Sequence, residues 1–404
     1  MKNSLFILIL LAIIYPATAN ADYLFNNRNN LIGDRAALMG GAYTALSEDV
    51  SGAFYNPAGI AYVRPLTSNF ANNYAYQRFE RENLTTGEPI MNDLHRFNNI
   101  PTMIGITYKF GELHTALSLF QTDMVRFYSI GHSADQSTSL TLDITEDTWL
   151  IGPSFAGKIT DDFAIGLSAF AYYTQMKFIG RIDSAALTSS RENDLYSLGF
   201  SPVFGAKWKA SESLDLGLSY GMETIHISGT NSIIFRPPGS PSVITKTVDG
   251  DMRLPHRVTT GVAWHNDGLT LAFDATYYFA MEYPAPNEPI RTAENENIHK
   301  ERAHFDLSLG TEYILSEKWN VRGGLFTNTS SATGQYGAEK INMYGGSFGV
   351  GYVNGSATTN FGIIVQRGDS DASASDFSPA LMVSEKAAWT RTIISFLIGG
   401  SYEF

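Results

Sequence analysis

The stretch LTLAFDATYYFAMEY, residues 269–283, alternates two kinds of side chain with a period of two. Apolar or aromatic residues occupy every odd position from Leu269 to Tyr283, whereas the even positions include Thr270 and Asp274. Successive side chains of a β-strand point to opposite faces, so this stretch predicts a strand with one apolar and one polar face. Its apolar face spans about 24 Å, the height of the hydrocarbon band that an outer-membrane barrel crosses.

Similar alternating blocks recur along the chain and predict fourteen strands. An open sheet of that size would leave two exposed edges, whereas closure into a barrel removes them. The expected fold class is therefore all-β, a 14-stranded antiparallel transmembrane β-barrel. The predicted strands are 66–80, 100–110, 113–128, 140–159, 162–183, 195–210, 213–235, 252–266, 269–283, 301–315, 318–333, 341–354, 357–368 and 387–404.

The connections between the predicted strands differ at the two ends. Tight turns follow the even-numbered strands, and longer loops, the longest near 82–99, 284–300 and 369–386, follow the odd ones. Short turns on one side and long loops on the other are typical of a bacterial outer-membrane barrel, whose turns face the periplasm. The tight turns are 111–112, 161–162, 211–212, 266–268, 316–317 and 354–356.

The N-terminus resembles an export signal. Lys2 is followed by an apolar run over residues 5–15 and by the small-residue site Ala19-Asn20-Ala21, which predicts a signal peptide over residues 1–21. No later segment has the roughly 20 apolar residues of a transmembrane helix, and Cys is absent, which excludes a disulfide framework or a thiol nucleophile.

The composition is low in charge and rich in aromatic side chains. Charged residues make up 17% and aromatic residues 13% of the chain, and the net charge is -12, so no basic nucleic-acid surface is expected. An apolar exterior and a wet interior would give these values, although a large secreted β-sandwich would give them too. The expected partners are the lipid bilayer and a hydrophobic small molecule; no cofactor and no metal are expected, and the chain is expected to be a monomer.

The last predicted strand ends on an aromatic residue. Thr390, Ile394, Phe396, Tyr402 and Phe404 share one face, and the chain stops at Phe404. A terminal aromatic residue on an alternating strand resembles the assembly signal of outer-membrane proteins. We therefore expect the outer-membrane assembly machinery to bind this strand.

Residues 22–63 lack the strand pattern and are rich in Gly and Ala. Asp34 is placed to cap a short helix over residues 35–39, and Gly40 is placed to end it. Further on, Asn56-Pro57-Ala58-Gly59 predicts a type I turn, in which the Asn56 side chain bonds the backbone ahead. Side chains fill a barrel of about eight strands but not a larger one. The sequence therefore predicts an N-terminal hatch (plug) inside the lumen over 22–63, followed by the barrel over 64–404.

The segment GDRAALMGGAYTALSEDVSGAFYNPAGIA, residues 33–61, resembles the hatch of the long-chain fatty acid and aromatic-hydrocarbon outer-membrane transporters (FadL/TodX-like). The resemblance implies an outer-membrane channel for passive uptake of hydrophobic molecules, with the hatch closing the periplasmic end. It also implies an apolar pocket in the lumen and a kink in the third strand that opens towards the membrane. The matching hatch residues are Gly40, Gly41, Phe54, Asn56, Pro57, Ala58 and Gly59.

The third predicted strand contains a carboxylate on its lipid-facing side. The alternation that begins at Leu113 would place Gln121, Asp123, Val125 and Phe127 towards lipid. A carboxylate is costly there, and a bulge would turn it inward. A position near the outer rim would also relieve the cost. The candidate lateral opening is therefore Phe120, Gln121, Thr122 and Asp123.

Several lumen-facing residues are candidates for a ligand pocket. Aromatic side chains would line it, and an arginine could bind a carboxylate head group. These arginines could equally pair with Asp274, Asp306 or Glu312, as charges inside barrels often do. The candidates are Phe170, Tyr172, Tyr278, Phe326, Arg257, Arg322 and Arg391.

The sequence contains no complete catalytic motif. GHSAD, residues 131–135, lacks the final Gly of a nucleophile elbow, and H-E-x-x-H does not occur. An enzyme is not expected. Two alternatives to a transporter stay open: a secretion or surface scaffold, which predicts a closed lumen without an apolar pocket, and an outer-membrane lipid hydrolase, which predicts a Ser and a His in hydrogen-bond reach on the outer face.

Overall fold

The chain folds into a closed antiparallel β-barrel with fourteen strands, labelled β1 to β14. The computed structural model describes residues 25–83, 92–93, 96–132, 138–184, 188–237, 241–284, 298–333, 340–370 and 387–404. The predicted signal peptide over 1–21 lies outside the described residues, as do the first residues of the predicted hatch and most of the long loops.

Nine of the strands are continuous, and five consist of two segments each. The continuous strands are β1 (Thr67–Asn83), β3 (Leu113–His132), β4 (Thr138–Lys158), β5 (Phe163–Ser184), β6 (Thr188–Ser211), β11 (Trp319–Asn328), β12 (Ile341–Asn354), β13 (Ala357–Ser370) and β14 (Ala387–Glu403). The interrupted strands are β2 (Asn92–Asp93 and Arg96–Phe110), β7 (Leu214–Gly221 and Ile225–Arg236), β8 (Ile244–Asp249 and Arg257–Asn266), β9 (Leu269–Tyr278 and Met281–Pro284) and β10 (Ile298–Glu301 and His304–Ile314).

The first and last strands close the barrel. β1 pairs with β14 along its whole length, from Thr67 opposite Glu403 to Asn83 opposite Ala387. Every predicted tight turn joins two neighbouring strands, and Gly111, Gly268 and Gly355 adopt positive φ angles in three of them, a conformation that glycine adopts without steric cost. The predicted fourteen-stranded antiparallel barrel is confirmed.

The outer surface is apolar. In β9, Leu271 and Phe273 are each 41% exposed, whereas the next residue, Asp274, is only 3% exposed and faces the lumen. Some exposed aromatic side chains lie near the tight turns, where aromatic residues at a membrane interface are expected. They include Tyr108, Phe110, Trp208, Trp319, Tyr402 and Phe404.

Parts of the predicted strand pattern are wrong, and the strand predicted over 213–235 is broken between Gly221 and Ile225. The alternation over 269–283 predicted that Met281 and Tyr283 face lipid, but both are buried. The ladder breaks between Tyr278 and Met281, and the break exchanges the two faces of the strand. Likewise, the strand predicted from residue 252 begins only at Arg257, because residues 250–256 leave the ladder and run inside the barrel.

Residues 25–63 form a compact unit with almost every side chain buried. It contains the short helices α1 (Arg35–Leu38) and α2 (Gly52–Tyr55) and the 3₁₀ helix Pro57–Tyr62. None of the helices in the described part of the chain is long and apolar enough to cross a membrane. Hydrogen bonds and ion pairs join this unit to inward-facing groups on strands around the whole barrel. The unit therefore lies in the lumen, and we call it the hatch.

Candidate functional site

The turn at Asn56 seats the hatch against β5 and β6. The Asn56 side chain accepts a hydrogen bond from the Ala58 N–H at 3.2 Å, as predicted, and donates to the backbone oxygens of Thr44 and Ala206 at 2.8 and 2.9 Å. The Gly59 N–H donates to the backbone oxygen of Asn56 at 3.0 Å, which completes the turn. Pro57 begins the 3₁₀ helix that follows.

Two glycines of the barrel wall make room for this turn. A Cβ at Gly205 would lie 2.0 Å from the Asn56 Oδ1, and a Cβ at Gly166 would lie 2.4 Å from the Pro57 carbonyl carbon. Real Cβ atoms do not come this close to other atoms, so any larger residue at either wall position would displace the hatch turn.

The loop after α1 bonds a different part of the wall. Gly40 and Gly41 have φ angles of +64° and +77°, which fit glycine alone without strain. The Gly40 N–H donates to Ser347 Oγ at 3.1 Å, and the N–H groups of Tyr43 and Thr44 both donate to Asp274 Oδ2, at 2.9 and 2.8 Å. The wall therefore satisfies backbone groups that the short helix leaves free.

The helix cap predicted at Asp34 is wrong. Asp34 makes no side-chain bond to the helix. Its Oδ2 instead accepts from Asn360 Nδ2 on β13 at 2.6 Å, because inside the barrel a neighbouring strand offers a better-placed donor. Burial and the nearby Asp49 carboxylate raise the pKa of Asp34.

Charged pairs tie further parts of the hatch to the wall. Arg35 Nη2 lies 2.7 Å from Glu312 Oε1 on β10, and Arg322 on β11 bonds the same carboxylate. At the other side of the hatch, Glu48 Oε1 lies 2.8 Å from the fully buried Lys207 Nζ on β6. Burial alone would raise the pKa of Glu48, but the lysine ammonium groups nearby outweigh it and lower this pKa.

A cavity lies in the lumen between the hatch and the inward segment 250–256. It encloses about 60 Å³ and is open on one side. Its apolar lining includes Phe54, Leu150, Tyr172, Met252 and Tyr278, and its polar lining includes Asn26, Asn27, Asp123, Glu146 and Arg257. A mostly apolar wall with a few polar groups is the lining that small-molecule sites have.

The sequence-predicted pocket residues divide into three groups. Tyr172, Tyr278 and Arg257 line the cavity. Phe170 lies behind its wall, where its ring packs edge-on against Phe120 with the centroids 5.7 Å apart. Two of the others contact the hatch: Phe326 packs in a buried cluster with Leu38, and Arg391 donates to Asn29 Oδ1 at 2.7 Å. Arg322 bonds the wall residues Glu312 and Asn360.

Arg257 differs from the other two candidate arginines. Its Nη2 donates to the Phe54 backbone oxygen at 3.2 Å, and its guanidinium lies 4.5 Å from the centre of the Phe54 ring. Within the described ranges, no carboxylate lies within ion-pair distance of it. Arg257 therefore presents a positive charge to the cavity that no described side chain neutralises.

The candidate lateral opening lies beside the cavity. The bulge that the sequence hypothesis required is at Thr122, since Gln121 pairs with Trp149 but Asp123 pairs with Thr148. Thr122 and Asp123 line the cavity. The bulge exchanges the faces of β3, so the prediction that its next residues face lipid is wrong: Asp123, Val125 and Phe127 point inward, and the last two are buried.

The ladder between β2 and β3 is interrupted at the same height. Among the described residues it runs as far as the pair Met103 and Phe120, and the next pair is Asp93 with Ser129. Residues 121–126 of β3 have no ladder partner on the described part of β2. Phe120 is fully buried below this gap, and Gln121 donates to Asp147 Oδ1 at 2.9 Å.

Some cavity residues were not predicted. Met222, Met252, Arg253 and Leu254 reach the cavity because β7 and β8 are interrupted there. The sequence GDMRLP over 250–255 contains a signal for this, since Gly and Pro flank a short stretch without clear alternation.

A Ser and a His do lie within hydrogen-bond reach, but not on the outer face. Ser197 Oγ is 3.2 Å from His226 Nδ1, and Ser197 is fully buried. The Ser197 hydroxyl also bonds the Met252 backbone. Asp251 lies 3.4 Å from that same Nδ1. A catalytic triad needs an acid hydrogen-bonded to the other ring nitrogen. Asp249 Oδ1 lies 3.7 Å from that nitrogen, Nε2, which is beyond hydrogen-bond distance, so among the described residues this cluster does not have a triad's geometry.

Comparisons with known proteins agree on the fold. No protein-family model and no curated protein matched the chain. Among solved structures, a Pseudomonas aeruginosa FadL homologue is similar at a TM-score of 0.69 with 14% identity, covering 94% of this chain and 100% of that one. The Pseudomonas putida toluene transporter TodX matches at 0.66 with 13% identity, over 93% and 99% of the two chains.

A third solved structure, the Ralstonia pickettii toluene transporter TbuX, matches at a TM-score of 0.62 with 15% identity over 93% of this chain and 99% of that one. The chain therefore has the fold of the FadL- and TodX-type barrels over almost its whole length.

Proposed function

We propose that this protein is a channel of the bacterial outer membrane through which hydrophobic molecules enter passively. The observation that carries the proposal is the cavity above the hatch, which reaches the bulge of β3 where the wall of the barrel is interrupted. An apolar molecule in this cavity would have a path towards the bilayer that avoids the hatch.

The location follows from the chemistry of the wall. Strands can cross a bilayer only as a closed barrel, because lipid offers no partner for a free backbone N–H or C=O group. An even number of strands, short turns at one end and an apolar outer surface are the features of bacterial outer-membrane barrels. Phe404 at the end of β14 supports the proposal that the outer-membrane assembly machinery binds this strand.

The hatch favours a sideways route over a straight one. It bonds the wall through Asp34, Glu48 and Asn56, among others, on strands around the barrel. Opening the lumen from end to end would break these buried bonds together. We therefore propose that the ligand leaves between β2 and β3, where the described residues 121–126 of β3 have no ladder partner on the described part of β2.

The lining favours ligands with an apolar body and an acidic end. Phe54, Leu150 and Tyr172 suit an acyl chain or an aromatic ring, and Arg257 offers a guanidinium without an ion-pair partner in the described part of the chain. Arginine binds carboxylates well because its donors match the two oxygens. A fatty acid would use both features, and an aromatic hydrocarbon only the first. The cavity also argues against the scaffold alternative, which predicted a lumen without an apolar pocket.

Ligand binding by the purified protein tests this function. We expect the protein in detergent to bind laurate, and Arg257→Ala to weaken that binding at least about tenfold, because a hydrogen bond to a charged group contributes about 1.5–3 kcal/mol. Binding of toluene should change little in the same variant. Equilibrium binding with radiolabelled laurate and toluene measures both.

Arg181→Ala is the matched control, because Arg181 is an exposed arginine on β5 far from the cavity lining. Unchanged laurate binding in Arg257→Ala would refute the head-group assignment. Absence of binding for both laurate and toluene in the parent protein would refute the channel proposal itself.

A further inference from the structure

The free edge of β3 beside the lateral gap is occupied by side chains. Met124 lies two residues after the bulge, in the stretch without a ladder partner on the described part of β2. Its backbone oxygen accepts a hydrogen bond from Gln77 Nε2 on β1 at 2.9 Å. Its N–H donates to the side-chain oxygen of Asn30 at 3.3 Å, in the amide orientation that the neighbours of Asn30 require. Both backbone groups that a neighbouring strand would use are therefore engaged.

The side chain of the residue before Met124 is also bonded to the hatch. Asp123 Oδ2 accepts from Asn29 Nδ2 at 2.8 Å, so two successive hatch residues contact two successive residues of β3. Asn29 is itself fixed from the far side. Its Oδ1 accepts from Arg391 on β14 at 2.7 Å, and its backbone oxygen accepts from Gln366 on β13 at 2.9 Å.

These bonds compete with closure of the wall. Backbone groups on a free strand edge pair readily with another strand, and here that strand is β2. A buried N–H or C=O group needs a hydrogen-bond partner. Gln77 and Asn30 already supply these partners for Met124, so pairing with β2 would add no hydrogen bond at this residue. Removal of either side-chain partner leaves a group that β2 can satisfy.

We propose that Asn30 and Gln77 are positioning residues that keep the lateral gap open by capping the backbone of the free edge of β3, and that Asn29 supports them by holding the adjacent Asp123 side chain. The width of the gap then depends on the place of the hatch, because Asn29 and one of the two caps, Asn30, belong to it. The role of the gap in transport rests on the proposed function, but the capping itself can be measured without any ligand.

The absence of Cys from the chain makes a spin-label distance measurement direct. One pair of labels, at Asn99→Cys on β2 and Lys177→Cys on β5, spans the gap; both positions are exposed. A reference pair, at Ile106→Cys and Leu167→Cys, joins the same two strands where the ladder is continuous. Electron paramagnetic resonance on the full chain in detergent gives both distances.

We expect Gln77→Glu to shorten the distance across the gap by about 4 Å, close to one strand spacing, and to leave the reference distance unchanged. Glutamate keeps the size of the side chain but cannot donate to the Met124 oxygen. Asn30→Ala, which removes the other cap, should shorten the same distance. The matched control is Asn73→Asp, an amide of the same strand that is equally buried but has no bond to β3 among the described residues.

An unchanged or longer gap distance in both cap variants, with the barrel folded as judged by its heat-modifiable migration, would overturn the proposal. Shortening in Asn73→Asp to the same extent would also overturn it, because the effect would then not be specific to the caps. Laurate binding, measured separately, tells whether the proposed function has failed instead.

Discussion

Glu312 accepts hydrogen bonds from two arginines that belong to different parts of the chain, Arg35 in the hatch and Arg322 on β11. The Glu312 and Arg322 side chains are 9% and 5% exposed. Attraction between buried charges is strong only while each has its partner, and a charge that loses its partner becomes costly. The cluster therefore joins the hatch to the wall through the Glu312 carboxylate, whose removal would leave buried charges without a partner.

We predict that Glu312→Gln lowers the free energy of unfolding by about 3 kcal/mol, because it leaves two arginines near each other without a carboxylate. Guanidinium unfolding of the detergent-solubilised protein measures the change. Protease should also cleave within residues 25–63 more readily, because the hatch is less firmly held.

The control for this prediction is Glu192→Gln, which removes an exposed carboxylate paired with Lys177 at 3.2 Å. Exposed pairs contribute about 0–1 kcal/mol, so this variant should be close to the parent in stability. Equal destabilisation by the two variants would show that burial of the Glu312 cluster has no special effect.

The direction of a side chain was predictable from alternation, but its partner was not. Tyr172, Tyr278, Phe326, Arg322 and Arg391 all point inward as the pattern indicated. Only the first two line the cavity, because the hatch covers the wall where the others lie. Where the hatch rests depends on contacts between residues hundreds of positions apart, and one sequence carries no signal for such contacts.

At the level of elements, the hatch turn fits against β5 and β6 because Gly166 and Gly205 have no side chain. Gly205→Ala should displace the turn, because its Cβ would fall 2.0 Å from the Asn56 Oδ1. Overpacking of this kind costs about 1–3 kcal/mol, and we expect a loss of that size in the free energy of unfolding. The same guanidinium titration measures it.

Gly157→Ala on β4 provides the matched comparison, because a Cβ there meets nothing within 4 Å. This variant should unfold within about 0.5 kcal/mol of the parent, as surface substitutions usually do. If Gly205→Ala were equally harmless, the turn at Asn56 would not be seated on the wall as described.

Strands were predictable where the alternation is long and the turns are tight. The turns at Gly111, Gly268 and Gly355 lie where the sequence indicated them. Breaks inside a strand were harder to predict, since the break between Tyr278 and Met281 has no Gly or Pro to mark it. The bulge at Thr122 could be anticipated because a carboxylate facing lipid is costly, and bulges exchange the faces of a strand.

In the whole molecule, the closed barrel, the hatch and the gap act together. The barrel satisfies the backbone in lipid, the hatch fills a lumen that fourteen strands leave wide, and the cavity lies where hatch and gap meet. The barrel followed from the sequence alone because each strand carries its own pattern. The cavity did not, because it is formed by the inward segment 250–256, the hatch and β3 together.

A crystal structure of the purified protein with laurate tests the central claim most directly. We expect an acyl chain beside Phe54, Leu150 and Tyr172, with its carboxylate at Arg257 and its path leading to the bulge at Thr122. Laurate bound elsewhere, or a cavity without laurate at a concentration that saturates binding, would contradict it.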